Sequence, residues 1–246
     1  MKVLAVFLAA LLTALATGLG ALPFFVKRTI ERRWLGLANA AASGFMLAAS
    51  TALLWEGGRR GPLRLVAGAL LGAIVVALTR RLLAGRQDVL HLGALRGADA
   101  YKAIGIVAIM TVHSVTEGVG VGVSYGDGKA LGIFITAAIA IHNIPEGLAI
   151  SLVLVPRGTS PAAAAWWSIF SSLPQPLVAV PAYLFVESFS KILPVGLGFA
   201  AGAMAWMVVS ELLPEARATA SGRAVALVLC LAFALMMGLQ ALLLAA

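Results

Sequence analysis

This chain is poor in most of what a soluble enzyme or binding module of 246 residues relies on. A single cysteine, Cys230, excludes an intrachain disulfide and a thiolate metal site, and its place in the last apolar run marks it as a packing residue. Acidic residues number only 10, so each one inside an apolar run carries weight. Charged residues make up 11% of the chain, too few to coat a globule of this size. The net charge of +8 raises nucleic acid as a partner, and its distribution excludes it. The Lys and Arg residues gather between apolar runs, where they anchor loops to anionic headgroups.

What the chain has in abundance is hydrocarbon, with 61% hydrophobic residues and a mean hydropathy of +1.01. Only lipid can cover that much apolar surface, and in lipid every backbone polar group must be satisfied internally. The expected fold is therefore an all-α polytopic membrane protein forming one domain over residues 1–246. A span needs about 20 apolar residues. Eight candidates are present, roughly 3–26, 37–55, 62–84, 101–125, 129–155, 161–186, 192–213 and 222–246. The first run is about twice the length of a signal-peptide core and counts as a span. Twelve of the 18 basic residues fall in or beside the odd-to-even connections, 1–2, 3–4, 5–6 and 7–8. The positive-inside bias puts those connections in the cytoplasm and both termini outside.

Two hexapeptides carry the chemistry: His113-Ser-Val-Thr-Glu117-Gly and His142-Asn-Ile-Pro-Glu146-Gly, offset by 29 residues. A histidine four residues before a glutamate places both on one helix face, one turn apart. An ionisable group at membrane depth costs roughly 2.5–3.5 kcal/mol on insertion scales and marks function. Two imidazoles and two carboxylates suit a divalent transition metal, and the carboxylates balance its charge. A lone pair of this kind reads equally well as a buried ion pair; its duplication in antiparallel neighbours predicts a midplane metal site of the inverted-repeat type. Pro145 predicts a break in the fifth helix, with a milder distortion at Thr116 in the fourth. In the sixth, Pro174 and Pro176 flank Gln175 and are expected to free the carbonyls of Phe170 and Ser172. Glu211, at the end of an apolar run, marks a candidate exit path. Glu215 reads as an interface residue, and Met46 as packing with a thioether that suits a borderline metal. His91 and Asp88 sit in the 3–4 connection. Gly68/Gly72, Gly118/Gly122 and Gly198/Gly202 are small pairs that let helices approach closely.

With these motifs in place, the whole chain resembles the ZIP (Zrt/Irt-like) family of metal transporters, most closely its bacterial members. The resemblance rests on the two His-x-x-x-Glu-Gly motifs and on Ser-Leu-Pro-Gln-Pro at 172–176 in the sixth span. Gly-Phe-Ala-Ala-Gly-Ala-Met at 198–204, leading to Glu-Leu-Leu-Pro-Glu-Ala at 211–216, completes it. It implies a 3+2+3 arrangement of helices with inverted repeats, a homodimer and a multi-pass location in a bacterial inner membrane. It implies uptake into the cytoplasm by alternating access, with no cofactor and with the metal as cargo. Zinc comes first, with iron, manganese and cadmium as further candidates. The implied ligands are His113, Glu117, His142, Glu146 and Met46. A second metal position used by many bacterial members would fall on Ser114, Asn143 and Gln175, all neutral here, so the chain is expected to hold one metal tightly. The family's frequent His-rich 3–4 loop is missing, leaving only His91.

Two rivals follow from the same residues. A metal-selective channel uses the same ligands, and saturable flux coupled to a switch of access would set a carrier apart from it. An intramembrane metalloenzyme needs His-Glu-x-x-His, which the chain lacks, and a general base that its glutamates, already spent as ligands, do not supply.

Overall fold

Glycine and proline set the joints between long apolar rods. In a computed structural model, residues 2–27, 29–84 and 98–245 are described, and they form helices with no strand among them. The rods are α1 (Lys2–Val26), α2 (Arg32–Arg60), α3 (Pro62–Ala84), α4 (Ala98–Asp127), α5 (Lys129–Arg157), α6 (Pro161–Ser188), α7 (Leu193–Thr219) and α8 (Gly222–Ala245). Gly61 separates α2 from Pro62, which opens α3 at a position where the missing N–H costs nothing. Gly128 alone separates α4 from α5. Ser160 caps α6, its hydroxyl accepting from the Ala163 N–H at 3.2 Å, with Pro161 in the first turn.

Among the described residues, six of these rods are long and apolar enough to cross a membrane: α1, α2, α5, α6, α7 and α8. Burial sorts them. The most apolar 18-residue windows of α2 and α5 are 61% buried and that of α8 only 17%, so α2 and α5 are central and α8 peripheral. Leu227, Leu231 and Leu235 form its outward stripe. His91, Asp88 and the rest of 85–97 lie outside the described residues.

The closest packing joins α3 to α7, α4 to α6, and α2 to α8, with α5 lying against α1, α2 and α4. Each of these pairs has a mate when α1 is exchanged for α6, α2 for α7, α3 for α8 and α4 for α5. The three expected small pairs make two of the contacts. Gly68 and Gly72 face the Val195 and Phe199 carbonyls while Gly198 and Gly202 face those of Leu65 and Ala69, and Gly118 and Gly122 face those of Gln175 and Ala179. A Cβ at any of the six would fall within 3.0 Å of the facing backbone. Helix-to-helix attraction in lipid comes from such close van der Waals contact rather than from apolar burial.

The helix irregularities at the prolines differ from those expected. α5 runs through Pro145 as an unbroken helix. α6 is interrupted at Leu173, between Pro161–Ser172 and Pro174–Ser188; the Phe170 carbonyl is not freed there but accepts the Leu173 N–H at 3.2 Å. In α7, Val208–Leu212 forms a π-helical turn just before Pro214. Pro214 displaces the carbonyl four residues back, Ser210, and the wider turn accommodates it.

Candidate metal centre

α4 and α5 bring the two hexapeptides together. The Glu117 and His142 side chains meet at 2.6 Å between Oε1 and Nε2. His113 Nε2 lies 3.5 Å from Glu146 Oε1, and His142 Nε2 lies 3.7 Å from the same oxygen. One ligand atom each from His113, Glu117 and Glu146 falls within 4.8 Å of the others, a spread that one ion can bridge. All four residues are buried, the most exposed being His113 at 4%. The i, i+4 spacing in each motif thus does what helical geometry dictates, and the cross-helix pairings bring the two faces into register.

Hydrogen bonding is uneven around this cluster. Glu117 has both oxygens engaged, Oε1 against His142 and Oε2 accepting from the Gln175 amide at 2.5 Å. Among the described residues, neither Glu146 oxygen has a hydrogen-bond partner, and His113 Nε2 has none either. Buried polar atoms left in this state cost about 1–3 kcal/mol each, more when charged, and they persist where a ligand satisfies them.

Gln175 stands at the middle of a relay. Its Oε1 accepts from the Thr13 hydroxyl at 2.5 Å and from the Asn143 amide at 3.3 Å, and Asn143 Nδ2 also donates to the Thr13 carbonyl at 2.8 Å. The Glu117 carboxylate, which can only accept, and the Asn143 Nδ2 donor orient the Gln175 amide with its NH2 toward Glu117. Ser114 is fully buried with its hydroxyl unpartnered. Of the three residues assigned to a second position, two are therefore joined in this network and Ser114 is not part of it. Met46 is fully buried in α2, a helix packed on both α5 and α7. Glu211 borders the cluster, with Oε2 3.9 Å from His113 Nδ1. The π-helical turn aims it there.

Sequence reasoning missed Thr13. The available signal was Thr13 and Thr17 four residues apart in an otherwise apolar run; Thr17 meets the Ser172 hydroxyl at 2.8 Å, one turn along the same interface.

A multi-pass helical membrane protein with a buried imidazole–carboxylate cluster between two of its helices belongs to a narrow class. The family model for the ZIP zinc transporters matches residues 88–245. A putative zinc transporter of Arabidopsis thaliana is 50% identical over 216 residues, 87% of this chain. This chain spans only 35% of that protein's length. Zinc transporter GufA of Myxococcus xanthus is 32% identical over 225 residues, 84% of this chain and 86% of the relative. Zinc transporter ZIP11 of Homo sapiens is 36% identical over 152 residues, 58% of this chain and 44% of that protein. The chain belongs to the ZIP zinc transporter family, a family of transporters rather than enzymes.

Proposed function

We propose that this chain moves divalent transition-metal ions, zinc before iron, manganese or cadmium, into the cytoplasm by alternating access. The observation that carries the reading is the pair of buried motifs meeting between α4 and α5, with Glu146 and His113 Nε2 left without hydrogen-bond partners. A cation arriving there gains two carboxylates and two imidazoles, and their charge offsets its own. The names of the relatives support zinc as the first candidate. His113, Glu117, His142 and Glu146 are the proposed ligands. Met46 is the proposed soft contact, and Glu211, beside His113, receives the ion on its way out.

Eight spans in a 3+2+3 arrangement, with α1–α3 and α6–α8 as inverted repeats around α4 and α5, account for the paired pattern of helix contacts. Both termini face outward, the protein sits in a bacterial inner membrane, and a homodimer is the assembly proposed from the family resemblance. A channel through the same ligands is the second reading. The fully buried cluster favours a carrier, because a conducting site must stay open enough to release its ion.

Metal uptake into vesicles containing the purified chain tests the proposal, with zinc, iron, manganese and cadmium in competition. Saturable zinc uptake reduced by the other ions is expected. Uptake that rises linearly with concentration speaks for the channel, and no uptake overturns both readings.

A further inference from the structure

The two carboxylates of the repeated motif are equal in sequence and unequal in structure. Glu146 keeps both oxygens free of hydrogen bonds, whereas the second oxygen of Glu117 is taken by the Gln175 amide at 2.5 Å. We infer that Gln175 is a positioning residue that sets metal selectivity, by holding Glu117 Oε2 away from the ion so that Glu117 offers one oxygen and not two. The inference rests on the metal-site reading above and adds to it a reason why one ion is preferred.

The amide is well placed for this because it cannot turn around. Its oxygen faces two donors, the Thr13 hydroxyl at 2.5 Å and Asn143 Nδ2 at 3.3 Å, and its nitrogen faces a carboxylate. A flip would set the amide oxygen against Glu117 Oε2 and the amide hydrogens against the Asn143 Nδ2 donor, losing both contacts. Only the Thr13 hydroxyl, by donating to the Ala10 carbonyl at 2.7 Å, could turn to accept. The Gln175 backbone is fixed too, since Gly118, next to Glu117, packs directly on it. Gln175 is fully buried, so water does not compete for Glu117 Oε2.

The consequence is a limit on the number of oxygen ligands. With Glu117 confined to Oε1, the two carboxylates together supply at most three oxygens, beside one nitrogen from each histidine and the Met46 sulfur. Zinc is satisfied by four nitrogen or oxygen ligands in a tetrahedron. Manganese favours six-fold, oxygen-rich coordination, and a bidentate Glu117 would move the site toward it. Releasing Glu117 Oε2 should therefore help the more highly coordinated ion more than it helps zinc.

Gln175→Met tests this with little other disturbance. It keeps the side chain's length and removes the donor. Thr13 keeps the Ala10 carbonyl as an acceptor at 2.7 Å, and Asn143 keeps the Thr13 carbonyl. The measurement is equilibrium competition between zinc and manganese for the purified full chain. Manganese is expected to compete about tenfold better in the variant, the scale on which groups hydrogen-bonded to metal ligands act, with zinc binding retained. Thr13→Val, which withdraws the hydroxyl that anchors the amide, should shift the balance the same way by less. It carries the test if Gln175→Met fails to reach the membrane. An unchanged competition ratio with zinc binding intact overturns the inference. Loss of zinc binding by either variant overturns it too, because Gln175 would then belong to the binding set itself. A wild-type chain that binds no zinc overturns instead the metal-site reading on which the inference stands.

Discussion

At the scale of single residues, charge balance governs what the centre can hold. Glu117 and Glu146 supply two negative charges, and the residues of the proposed second position, Ser114, Asn143 and Gln175, are neutral and add none, while Glu211 beside His113 is proposed for the exit path. Two dications about 4 Å apart repel by roughly 4 kcal/mol per unit-charge pair at an effective dielectric near 20, and the product of their charges multiplies this fourfold. One tightly held metal per chain is the expected result of elemental analysis after dialysis, and a stoichiometry of two at micromolar free metal would refute the charge argument. Gln175→Glu should strengthen a second position, since it adds a carboxylate where the amide now stands. The ligands themselves are tested more directly. His142→Ala and Glu146→Ala each remove one of the proposed ligands. Each should lower vesicle zinc uptake by more than about 100-fold, beyond the usual effect of losing a group that merely supports a ligand. Normal uptake by either variant, at normal abundance in the membrane, would rule out the centre.

At the scale of the helix, close contact takes the place of the hydrophobic effect. Gly72 sits against the Phe199 carbonyl and Gly202 against that of Ala69, so a side chain at either position pushes α3 from α7. Gly72→Leu should reduce the folded protein recovered in detergent and lower its thermal midpoint, whereas Gly128→Leu, with no atom within 4 Å of the added Cβ, should not. Equal recovery of the two would show that this contact does not hold the bundle. The helices and their small pairs were legible because apolar length and i, i+4 spacing are local properties. The four His and Glu residues were legible for the same reason, each being an ionisable group that only function keeps in an apolar run. What was not legible depended on distant partners. Pro145 reads as a break, yet α5 stays continuous, while the π-helical turn at Val208–Leu212 arises where Pro214 displaces a carbonyl. Thr13 gains its role only from Gln175, 162 positions away.

At the scale of the whole molecule, packing sorts the helices into two groups. α1, α4, α5 and α6 hold one another, as do α2, α3, α7 and α8, with fewer contacts between the groups. The proposed ligands other than Met46 lie in the first group, and His113 reaches the second through Glu211. Sidedness can be checked in a Cys230→Ser background. Ser221→Cys, in the exposed α7–α8 connection, should react with membrane-impermeant reagents only after cells are opened, and Gly128→Cys should react in intact cells; the reverse pattern would invert the proposed orientation. Among the described residues, an ion pair joins the two groups on the side of the membrane that Gly128 occupies. The Arg60 guanidinium at the end of α2 contacts the Asp127 carboxylate at the end of α4, with Asp127 6% exposed and Arg60 45% exposed. If one group moves against the other during transport, this pair can part in one state and close in another, because water solvates a half-exposed arginine when it leaves. Arg60→Ala leaves the buried Asp127 without its partner in the closed form, so the balance shifts toward the form in which Asp127 meets water. Zinc uptake should change in maximal rate while the competition between zinc and manganese stays as in the wild type, because no ligand of the centre is touched. Charge reversal of the pair, Arg60→Asp with Asp127→Arg, should restore much of the rate. A change in metal preference in Arg60→Ala would place the pair in the selectivity machinery, and an unchanged rate would show that this contact does not open and close during transport.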